Sequence, residues 1–407
     1  MSSRKFPRWS DVRPFLARPP RVGDRVDRRL ARCLTIADLE AKARRRVPPA
    51  VWDYVHSGAE AEASLRRNRE AFERVEWCPT AFEQVGEPDL STEVLGRPAA
   101  MPVVLAPTGY TRMSHHTGES AVVRAAERAG VPYALSTYAT TSIPDVAAAA
   151  PGARRWFQLY LMKDRAVSRE HLRQARECGY EAVQLTIDTS MTGQKLKDER
   201  NGFGVPPRLS TGTLIGMATH PRWVADILTT EPLSFATFPA GSPHARWGVS
   251  NRVREQAIRP SDVAWVKAEF GGPVLVKGVV SVRDAVAAAD AGADAVVLSN
   301  HGGRQLDRTA APLELLPAVA DAVGDRVEVH LDSGVRSGAD AAAALALGAR
   351  AVMIGRPYLY GLMAGGGRGV DRCLEIIRSD LTRTLSLLGA RSVSGLTPAH
   401  VRLRDAP

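Results

Sequence analysis

Short apolar segments alternate with longer amphipathic segments from about residue 100 onward. Strands buried on both faces of a parallel sheet have this nearly continuous apolar character. Helix-length segments separate most of them, and those at 118–130, 164–179, 281–292 and 337–348 each end in the glycine that helix C-termini favour. Eight strand–helix units are the number that closes a parallel (β/α)8 TIM barrel. The eight predicted strands are 102–108, 132–137, 156–161, 182–188, 274–279, 295–300, 328–334 and 351–356.

The alternative α/β fold is a doubly wound Rossmann sheet. That fold needs a GxGxxG turn directly after an early strand. The only glycine-dense segment, 365–369, follows no predicted strand of that kind and lacks the spacing. The pattern therefore favours the barrel.

Two further regions flank or interrupt the repeat. Residues 33–78 predict a helical segment before the barrel, with Thr35 capping a helix over 36–46 and a second helix over 50–57. About 85 residues separate the fourth and fifth predicted strands, far more than a usual connection. This insertion, at about 190–260, reads as a lid over the active site; a solvent-facing segment against another subunit is the alternative. Its aromatic residues are Trp223, Phe235, Phe238 and Trp247.

The charge is concentrated at the N-terminus. The chain of 407 residues has a net charge of +10, and residues 1–32 contain ten Lys/Arg against three Asp/Glu. We therefore divide the chain into a basic, proline-containing arm (1–32), an extended or loosely docked segment, a barrel domain (33–400) and a C-terminal tail (401–407). The arm fits a segment wrapping a neighbouring subunit, an anionic membrane surface or nucleic acid. Because no basic repeat interleaved with aromatics supports the last, we expect no nucleic-acid partner.

Composition limits the remaining classes. At 44% hydrophobic and 24% charged residues the chain is typical of globular proteins, which excludes a fibrous or disordered class. Four widely spaced cysteines without a CxxC pair predict no metal site and favour a reducing, cytoplasmic compartment. No signal peptide and no apolar run of membrane-spanning length is visible, so any membrane contact is expected to be peripheral, at the inner face.

Polar or ionisable residues stand at the C-terminal end of every predicted strand. In a barrel these ends meet at one mouth, where active sites form. A single such residue is often a cap or turn residue, but eight in register are not explained in that way. They are Thr108, Ser136, Tyr160, Asp188, Lys277, His301, Asp332 and Arg356.

The segment 299–307 (SNHGGRQLD) is the most informative of these ends. His301 suits the role of a general base, or of an ordinary polar contact. Two glycines after it allow a tight turn that brings Arg304 back beside His301, and a guanidinium binds a carboxylate through two parallel hydrogen bonds. Asp188 could stabilise the imidazolium formed during turnover or cap a helix. A base beside a carboxylate clamp indicates a small carboxylic acid that loses a proton near its acid group.

Two cationic features remain. Lys277 inside a buried strand could be a Schiff-base nucleophile, as in a lyase, could stabilise an anionic cofactor ring, or could form a structural ion pair. Arg336 and Arg356 follow the seventh and eighth strands, the usual phosphate site of barrels, although surface arginines beside ordinary turns are the alternative.

These motifs together resemble the FMN-dependent 2-hydroxy-acid oxidising enzymes, and within them the bacterial, quinone-linked L-lactate dehydrogenases. The resemblance covers about residues 33–400 and rests on many motifs in one order. They are Asp53-Tyr54 with Ser57-Gly58-Ala59, Ala106-Pro107-Thr108, Gln158-Leu159-Tyr160, Thr186-Ile187-Asp188, Lys277-Gly278, the segment 299–307, the segment 332–336 and Gly355-Arg356.

The resemblance implies FMN across the barrel mouth and a role for each matching residue. Tyr54 and Arg304 would hold the substrate carboxylate, Tyr160 its hydroxyl, and His301 would take the hydroxyl proton or, in a carbanion route, the Cα proton first. The implied cofactor contacts are Pro107, Thr108, Gly109, Ser136, Gln158, Thr186, Lys277 and Ser299 near the ring, and Asp332, Ser333, Gly334, Arg336, Gly355 and Arg356 near the phosphate.

Two positions where the insertion begins depart from the family pattern. Lys195 stands where the family usually has arginine, which keeps the charge but loses the fork, and Ser190 stands where the family usually has proline. Tyr138 occupies a position that shapes the substrate side-chain pocket, and its bulk need not suit lactate. The expected function is oxidation of L-lactate to pyruvate with electrons passed to a quinone or another acceptor. The alternative is an O2-using oxidase of a bulkier 2-hydroxy acid, and the resemblance implies a homotetramer.

Overall fold

The computed structural model describes residues 6–16, 23–83, 86–202, 210–239, 242 and 253–405. Eight parallel strands form a closed barrel, and each lies within or one residue from a segment predicted from the sequence. The strands follow chain order around the barrel, and the last pairs with the first to close it. They are β4 (Val103–Leu105), β5 (Tyr133–Ser136), β6 (Arg155–Leu159), β7 (Ala182–Thr186), β8 (Val274–Val279), β9 (Ala295–Leu298), β10 (Glu328–Leu331) and β11 (Ala351–Ile354).

The barrel has one apolar core inside it and a second one between its strands and the surrounding helices. Because strand side chains alternate in direction, successive residues enter different cores. Alternate residues such as Val104, Trp156 and Leu275 fill the interior, while their neighbours pack against the surrounding helices. Two residues further along β8 from Leu275, the same face carries Lys277. The period therefore directs Lys277 into the top layer of the barrel interior, at the mouth.

The surrounding helices begin and end at the capping residues expected from the sequence. Ser281 and Ser337 accept hydrogen bonds from the third backbone N–H of their helices. Glycines in the left-handed region follow the helix ends, as at Gly130 (φ 66°). The four helices predicted between strands are observed at Gly118–Ala129, Arg165–Glu177, Val282–Asp290 and Gly338–Ala346, and further barrel helices are Ile143–Ala149, Pro260–Phe270, Pro312–Val323, Arg356–Gly365 and Gly367–Leu388.

The N-terminal segment is helical as predicted. Thr35 caps the helix Ile36–Arg44 with its side chain, and Pro49 begins the helix Pro49–His56, which carries Tyr54 to the barrel mouth. A third helix, Ala63–Glu73, follows. The first of these packs against the last barrel helices through buried Ile36, Leu39 and Ala43.

Both chain ends contain regular structure. Part of the arm (1–32), expected to be extended or loosely docked, is helical, because Asp24 caps the helix Arg25–Leu30 and Arg368 binds both Asp24 and Asp27. Short helical turns also occur at Trp9–Val12 and Arg13–Leu16. At the start of the C-terminal tail, β12 (Val401–Leu403) pairs antiparallel with β1 (Val75–Trp77). The strands β2 (Thr92–Val94) and β3 (Arg97–Ala99) form a separate hairpin.

The described part of the insertion contains three helices, Leu196–Arg200, Thr211–Ala218 and Pro221–Leu228. Trp223 anchors the last of them, donating from its indole nitrogen to the Met113 carbonyl at 2.9 Å. Phe235 and Phe238 are buried, whereas Trp247 lies outside the described residues. None of the described helices combines the length and apolar content needed to cross a bilayer.

Candidate active site

One cavity of about 560 Å³ opens at the C-terminal ends of the barrel strands. Almost every residue that the sequence analysis predicted for the active site lines this cavity. These are Tyr54, Pro107, Thr108, Gly109, Ser136, Tyr138, Gln158, Tyr160, Thr186, Lys195, Lys277, His301, Arg304, Asp332, Ser333, Gly334, Arg336, Gly355 and Arg356. Two nominated residues, Asp188 and Ser299, stand behind the lining and contact it from outside.

Asp188 orients His301. The carboxylate oxygens of Asp188 lie 3.1 and 3.2 Å from Nδ1 of His301, which fixes the proton on that nitrogen and leaves Nε2 free to accept one. Asp188 can come this close because the facing residue is Gly278 (φ 99°), where a Cβ would stand 2.6 Å from the Asp188 side chain. The Lys277-Gly278 motif thus serves the His301–Asp188 pair as well as the strand.

The turn after His301 is built from three consecutive left-handed residues. His301 (φ 58°), Gly302 (φ 66°) and Gly303 (φ 75°) reverse the chain, and any Cβ at Gly303 would lie 2.6 Å from the Leu65 nitrogen. A left-handed histidine is strained, by roughly 1–2 kcal/mol. Hydrogen bonds to Ser299 Oγ and Ser333 Oγ hold the turn in place and bring Arg304 into the same cavity, as predicted.

Arg304 and Tyr54, the two residues predicted to hold the substrate carboxylate, lie against each other. The guanidinium carbon of Arg304 lies 5.3 Å from the centroid of the Tyr54 ring, and its Nη1 donates to the carbonyls of Tyr54 and Ser57. Burial raises the pKa of Tyr54 to about 12. The phenol is therefore a hydrogen-bond donor at neutral pH.

Lys277 is paired rather than free. Its Nζ lies 2.6 Å from the Asp332 carboxylate and 2.8 Å from Ser299 Oγ. Burial opposes ionisation of Asp332, but the charge and hydrogen bond of Lys277 outweigh it, so the pKa of the Asp332 carboxyl lies below its usual value. A Schiff-base nucleophile must be an uncharged amine. The ion pair favours a charged lysine facing an electron-rich ring over the lyase alternative.

Ser299 does not line the cavity. It accepts from Lys277 Nζ and from the His301 backbone, so it positions two lining residues. On the neighbouring strands β5 to β7, Ser136 donates to Gln158 Oε1 at 3.0 Å and Gln158 donates to Thr186 Oγ1 at 2.9 Å. These two hydrogen bonds orient the planar amide of Gln158.

Two arginines lie where the phosphate of the cofactor is expected, without a carboxylate partner among the described residues. Within the described part of the chain, neither Arg336 nor Arg356 forms an ion pair with a carboxylate. Burial, together with the charges of Arg304 and Arg336, lowers the pKa of Arg356 to about 9. Gly334 (φ 110°) lines the cavity beside them, and the position admits only glycine because a Cβ there would meet the Asn68 carbonyl at 2.4 Å. The site therefore fits an anionic group such as the phosphate of FMN.

Lys195 enters from the insertion. Burial lowers its pKa to about 8, with Arg304 and Arg254 lowering it and Asp198 raising it. Burial in turn raises the pKa of Asp198. Lys195 therefore loses its charge at moderately alkaline pH, whereas an arginine at this position would keep its charge.

The sequence analysis missed several residues that line the cavity, among them Arg254, Tyr110 and Phe235. Arg254 places its guanidinium carbon 5.1 Å from the Tyr160 ring centroid and donates to Thr192 Oγ1 at 3.0 Å. An isolated antiparallel β-bridge between the backbones of Arg254 and Met162 holds Arg254 in this position. Tyr110 and Phe235 pack edge to face at 4.8 Å and continue the surface begun by Tyr138. Arg254 had no local signal, because it approaches from 66 residues beyond Asp188 in a region without periodicity.

Comparison with known proteins places this site in a family. Residues 43–403 match the FMN-dependent dehydrogenase family profile. The chain belongs to that family. It is 44% identical over 399 residues to a Mycobacterium tuberculosis protein named "Putative L-lactate dehydrogenase", covering 98% of this chain and 96% of that protein. It is 38% identical to human 2-hydroxyacid oxidase 1 over 380 residues, covering 92% and 97% of the two chains.

A solved structure agrees with the fold. The monotopic membrane protein (S)-mandelate dehydrogenase superposes with a TM-score of 0.87 at 34% identity, covering 92% of this chain and all of that one. The predicted barrel, the family and the FMN cofactor are therefore confirmed. The protein is an FMN-dependent 2-hydroxy-acid-oxidising enzyme. The roles assigned to individual site residues stay predictions.

Proposed function

We propose that this protein is an L-2-hydroxy-acid dehydrogenase whose default substrate is L-lactate, with a quinone as the default electron acceptor. The observation that carries the proposal is the set of groups around one point of the cavity. His301, backed by Asp188, faces Tyr160 across 3.5 Å, and Arg304 lines the same wall. A base, a hydroxyl partner and a carboxylate partner are what a 2-hydroxy acid requires.

The substrate is held at both of its oxygen-bearing carbons. Arg304 and Tyr54 donate to the carboxylate, and Lys195 adds positive charge from the insertion. Tyr160 donates to the hydroxyl oxygen, since burial raises the pKa of its phenol and keeps it protonated. With both ends fixed, the hydroxyl and the Cα hydrogen lie close to His301.

His301 moves the proton. Its Nε2 takes the hydroxyl proton, or the Cα proton first in a carbanion route, and the imidazolium that results is stabilised by the Asp188 carboxylate. Lys277, Gln158 and Ser136 would hold the ring of FMN, and Arg336, Arg356 and Gly334 its phosphate; the bound cofactor would supply the two-electron acceptor. Lys277 would present positive charge to that ring.

The test is anaerobic mixing of the purified yellow protein with a panel of L-2-hydroxy acids. We expect the oxidised-flavin absorbance to bleach with L-lactate, and to return faster with a quinone than with air. The variant His301→Ala should retain FMN and lose bleaching. A colourless protein that takes up no FMN, or His301→Ala that bleaches at the wild-type rate, would contradict the proposal.

A second candidate substrate class has a specific observation in its favour. The ring centroid of Tyr138 lies 4.7 Å from that of Phe235 and 5.3 Å from that of Tyr160. Three aromatic rings therefore border the cavity on one side. Such a wall suits an apolar or aromatic side chain better than the methyl group of lactate. The substrate panel therefore includes (S)-mandelate, and a higher kcat/KM for it than for L-lactate would select this class, with O2 in place of quinone tested as acceptor.

We also propose peripheral contact with a membrane as the way the enzyme reaches a quinone. The insertion exposes Leu214, Ile215 and Leu228 on its helices, by 51%, 66% and 78%. Exposed apolar side chains beside a basic arm suit the surface of an anionic bilayer. Co-sedimentation with anionic vesicles that is lost in Leu214→Ser/Ile215→Ser supports this, and equal binding by that variant contradicts it. A homotetramer is the proposed assembly, to be checked by light scattering.

A further inference from the structure

A second cavity, of about 620 Å³, lies on the flank of the barrel, away from the mouth. Four separate elements each bring an arginine to it. Arg29 comes from the helix Arg25–Leu30, Arg124 from Gly118–Ala129, and Arg222 from the insertion helix Pro221–Leu228, while Arg46 follows the helix Ile36–Arg44. Residues from such distant parts of the chain meet here only because of the fold. We refer to this as the arginine cavity.

These four arginines lack acidic partners. In the part of the chain that the structure describes, none of them forms an ion pair, and Arg29 and Arg124 donate only to the carbonyls of Ala364 and Ala149. Two more lining arginines, Arg128 and Arg368, are already neutralised by carboxylates. One further carboxylate, Asp226, lines the arginine cavity and lies 3.4 Å from His116 Nδ1 rather than on an arginine. Four unpaired guanidinium groups less this one carboxylate leave an excess of about three positive charges.

Neighbouring cations act on Arg29. Partial burial lowers the pKa of Arg29, and the nearby charges of Arg222 and Arg368 lower it further. The Nε of Arg29 is buried and has no hydrogen-bond partner among the described residues. An anion between the arginines would relieve the repulsion and satisfy the donor, since guanidinium groups bind phosphate oxygens through several N–H bonds at once.

The floor of the arginine cavity is built from backbone. Gly366 (φ 62°) leads into the helix Gly367–Leu388, and His115 leads towards Gly118–Ala129, so two long helices point their N-termini at the same space. A Cβ at Gly366 would stand 3.1 Å from the His115 ring, which explains the glycine. Burial lowers the pKa of His115 to about 4, so the charge of the floor comes from helix dipoles and not from that imidazole.

We propose that the arginine cavity binds an anion carrying two phosphate groups. One phosphate carries about 1.5–2 negative charges at neutral pH. Two of them together match the excess left by the four unpaired guanidinium groups and the Asp226 carboxylate, and the volume accommodates a molecule as large as a nucleoside diphosphate. The bound anion bridges the N-terminal helices to the insertion through Arg222. The source of the phosphates is either a soluble diphosphate or the headgroups of an anionic lipid.

The test is calorimetric titration of the FMN-loaded enzyme with pyrophosphate and with ADP, and vesicle binding with phosphatidic acid. Loaded enzyme is used because the cofactor blocks the phosphate site at Arg336 and Arg356. We expect one-to-one binding, weakened at least about tenfold in Arg46→Gln/Arg222→Gln, since each variant residue removes charge-assisted hydrogen bonds.

The matched control is Arg67→Gln/Arg283→Gln, which removes the same charge from exposed positions outside the arginine cavity. Full affinity in the control and loss in the cavity variant supports the proposal; for vesicles alone, the same pattern identifies a lipid headgroup as the source. Equal weakening in both variants means general electrostatic attraction and overturns it. Absence of binding to every probe by the wild-type enzyme overturns it as well.

Discussion

Asp188→Asn tests the proposed proton chemistry most directly. Asp188 is 10% exposed and lies 3.1 Å from His301, itself 26% exposed. The amide keeps the size of the carboxylate but removes the negative charge opposite the imidazole. The proton transfer to Nε2 creates a positive charge on His301, so the variant should slow the step in which that charge forms.

The structure gives the size of the effect. Two unit charges 3.1 Å apart interact by about 5 kcal/mol at an effective dielectric constant of about 20. If about half of the charge has formed at the transition state, about 2.5 kcal/mol is lost, which is roughly 70-fold in rate. Water at the open mouth screens part of this, so we expect a fall of about 20- to 70-fold.

The assay is anaerobic stopped-flow measurement of flavin bleaching at saturating substrate. FMN content, read from the ratio of visible to ultraviolet absorbance, should be unchanged because Asp188 lies outside the cavity lining. Asp198→Asn is the matched control: it makes the same chemical change at a carboxylate that lines the cavity and interacts electrostatically with Arg304 and Lys195 rather than with His301. Its bleaching rate should change less than about threefold.

A fall of less than about threefold in Asp188→Asn, with full FMN content, would refute the reasoning. So would an equal fall in Asp198→Asn, because the effect would then follow the cavity charge and not the imidazole. A loss of flavin in Asp188→Asn alone would mean that Asp188 supports the cofactor site through Gly278.

Three further outcomes are expected. The pKa of Lys195 near 8 means that its charge is lost as pH rises through that value, so kcat/KM should fall on the alkaline side; Lys195→Arg keeps the charge and should flatten that limb without changing FMN content. Gly334→Ala should reduce FMN content, since its Cβ would lie 2.4 Å from the Asn68 carbonyl at φ 110°; Gly292→Ala, also at positive φ but with open space around it, is the control for FMN retention. Tyr138→Ala removes one ring of the aromatic wall and should lower kcat/KM for (S)-mandelate about tenfold while leaving L-lactate within about threefold; an equal change for both substrates would place Tyr138 outside the side-chain pocket.

The position of the chemistry along the chain was predictable because strand ends are local features. Thr186 and Lys277 lie on neighbouring strands, at the same height in the barrel. Because side chains alternate between the two faces of a strand, both residues fall on the interior face. The two glycines after His301 signalled a tight turn, and the turn does bring Arg304 into the cavity. Ser299 shows where this prediction fails. It was predicted to contact the cofactor, but it stands behind the cavity lining and holds Lys277 and His301, which do line the cavity.

The sequence by itself determined the eight strands, the helix caps and most of the cavity lining, because burial on both faces, capping and strand parity each act over a few neighbouring residues. Only the tertiary structure decided that Arg254 stacks on Tyr160, that Phe235 extends the wall begun by Tyr138, and that four arginines without acidic partners meet beside the barrel. These contacts join segments far apart in the chain, with no shared period between them. Their positions follow from the closed barrel and the path of the insertion, and therefore exist only once the chain has folded.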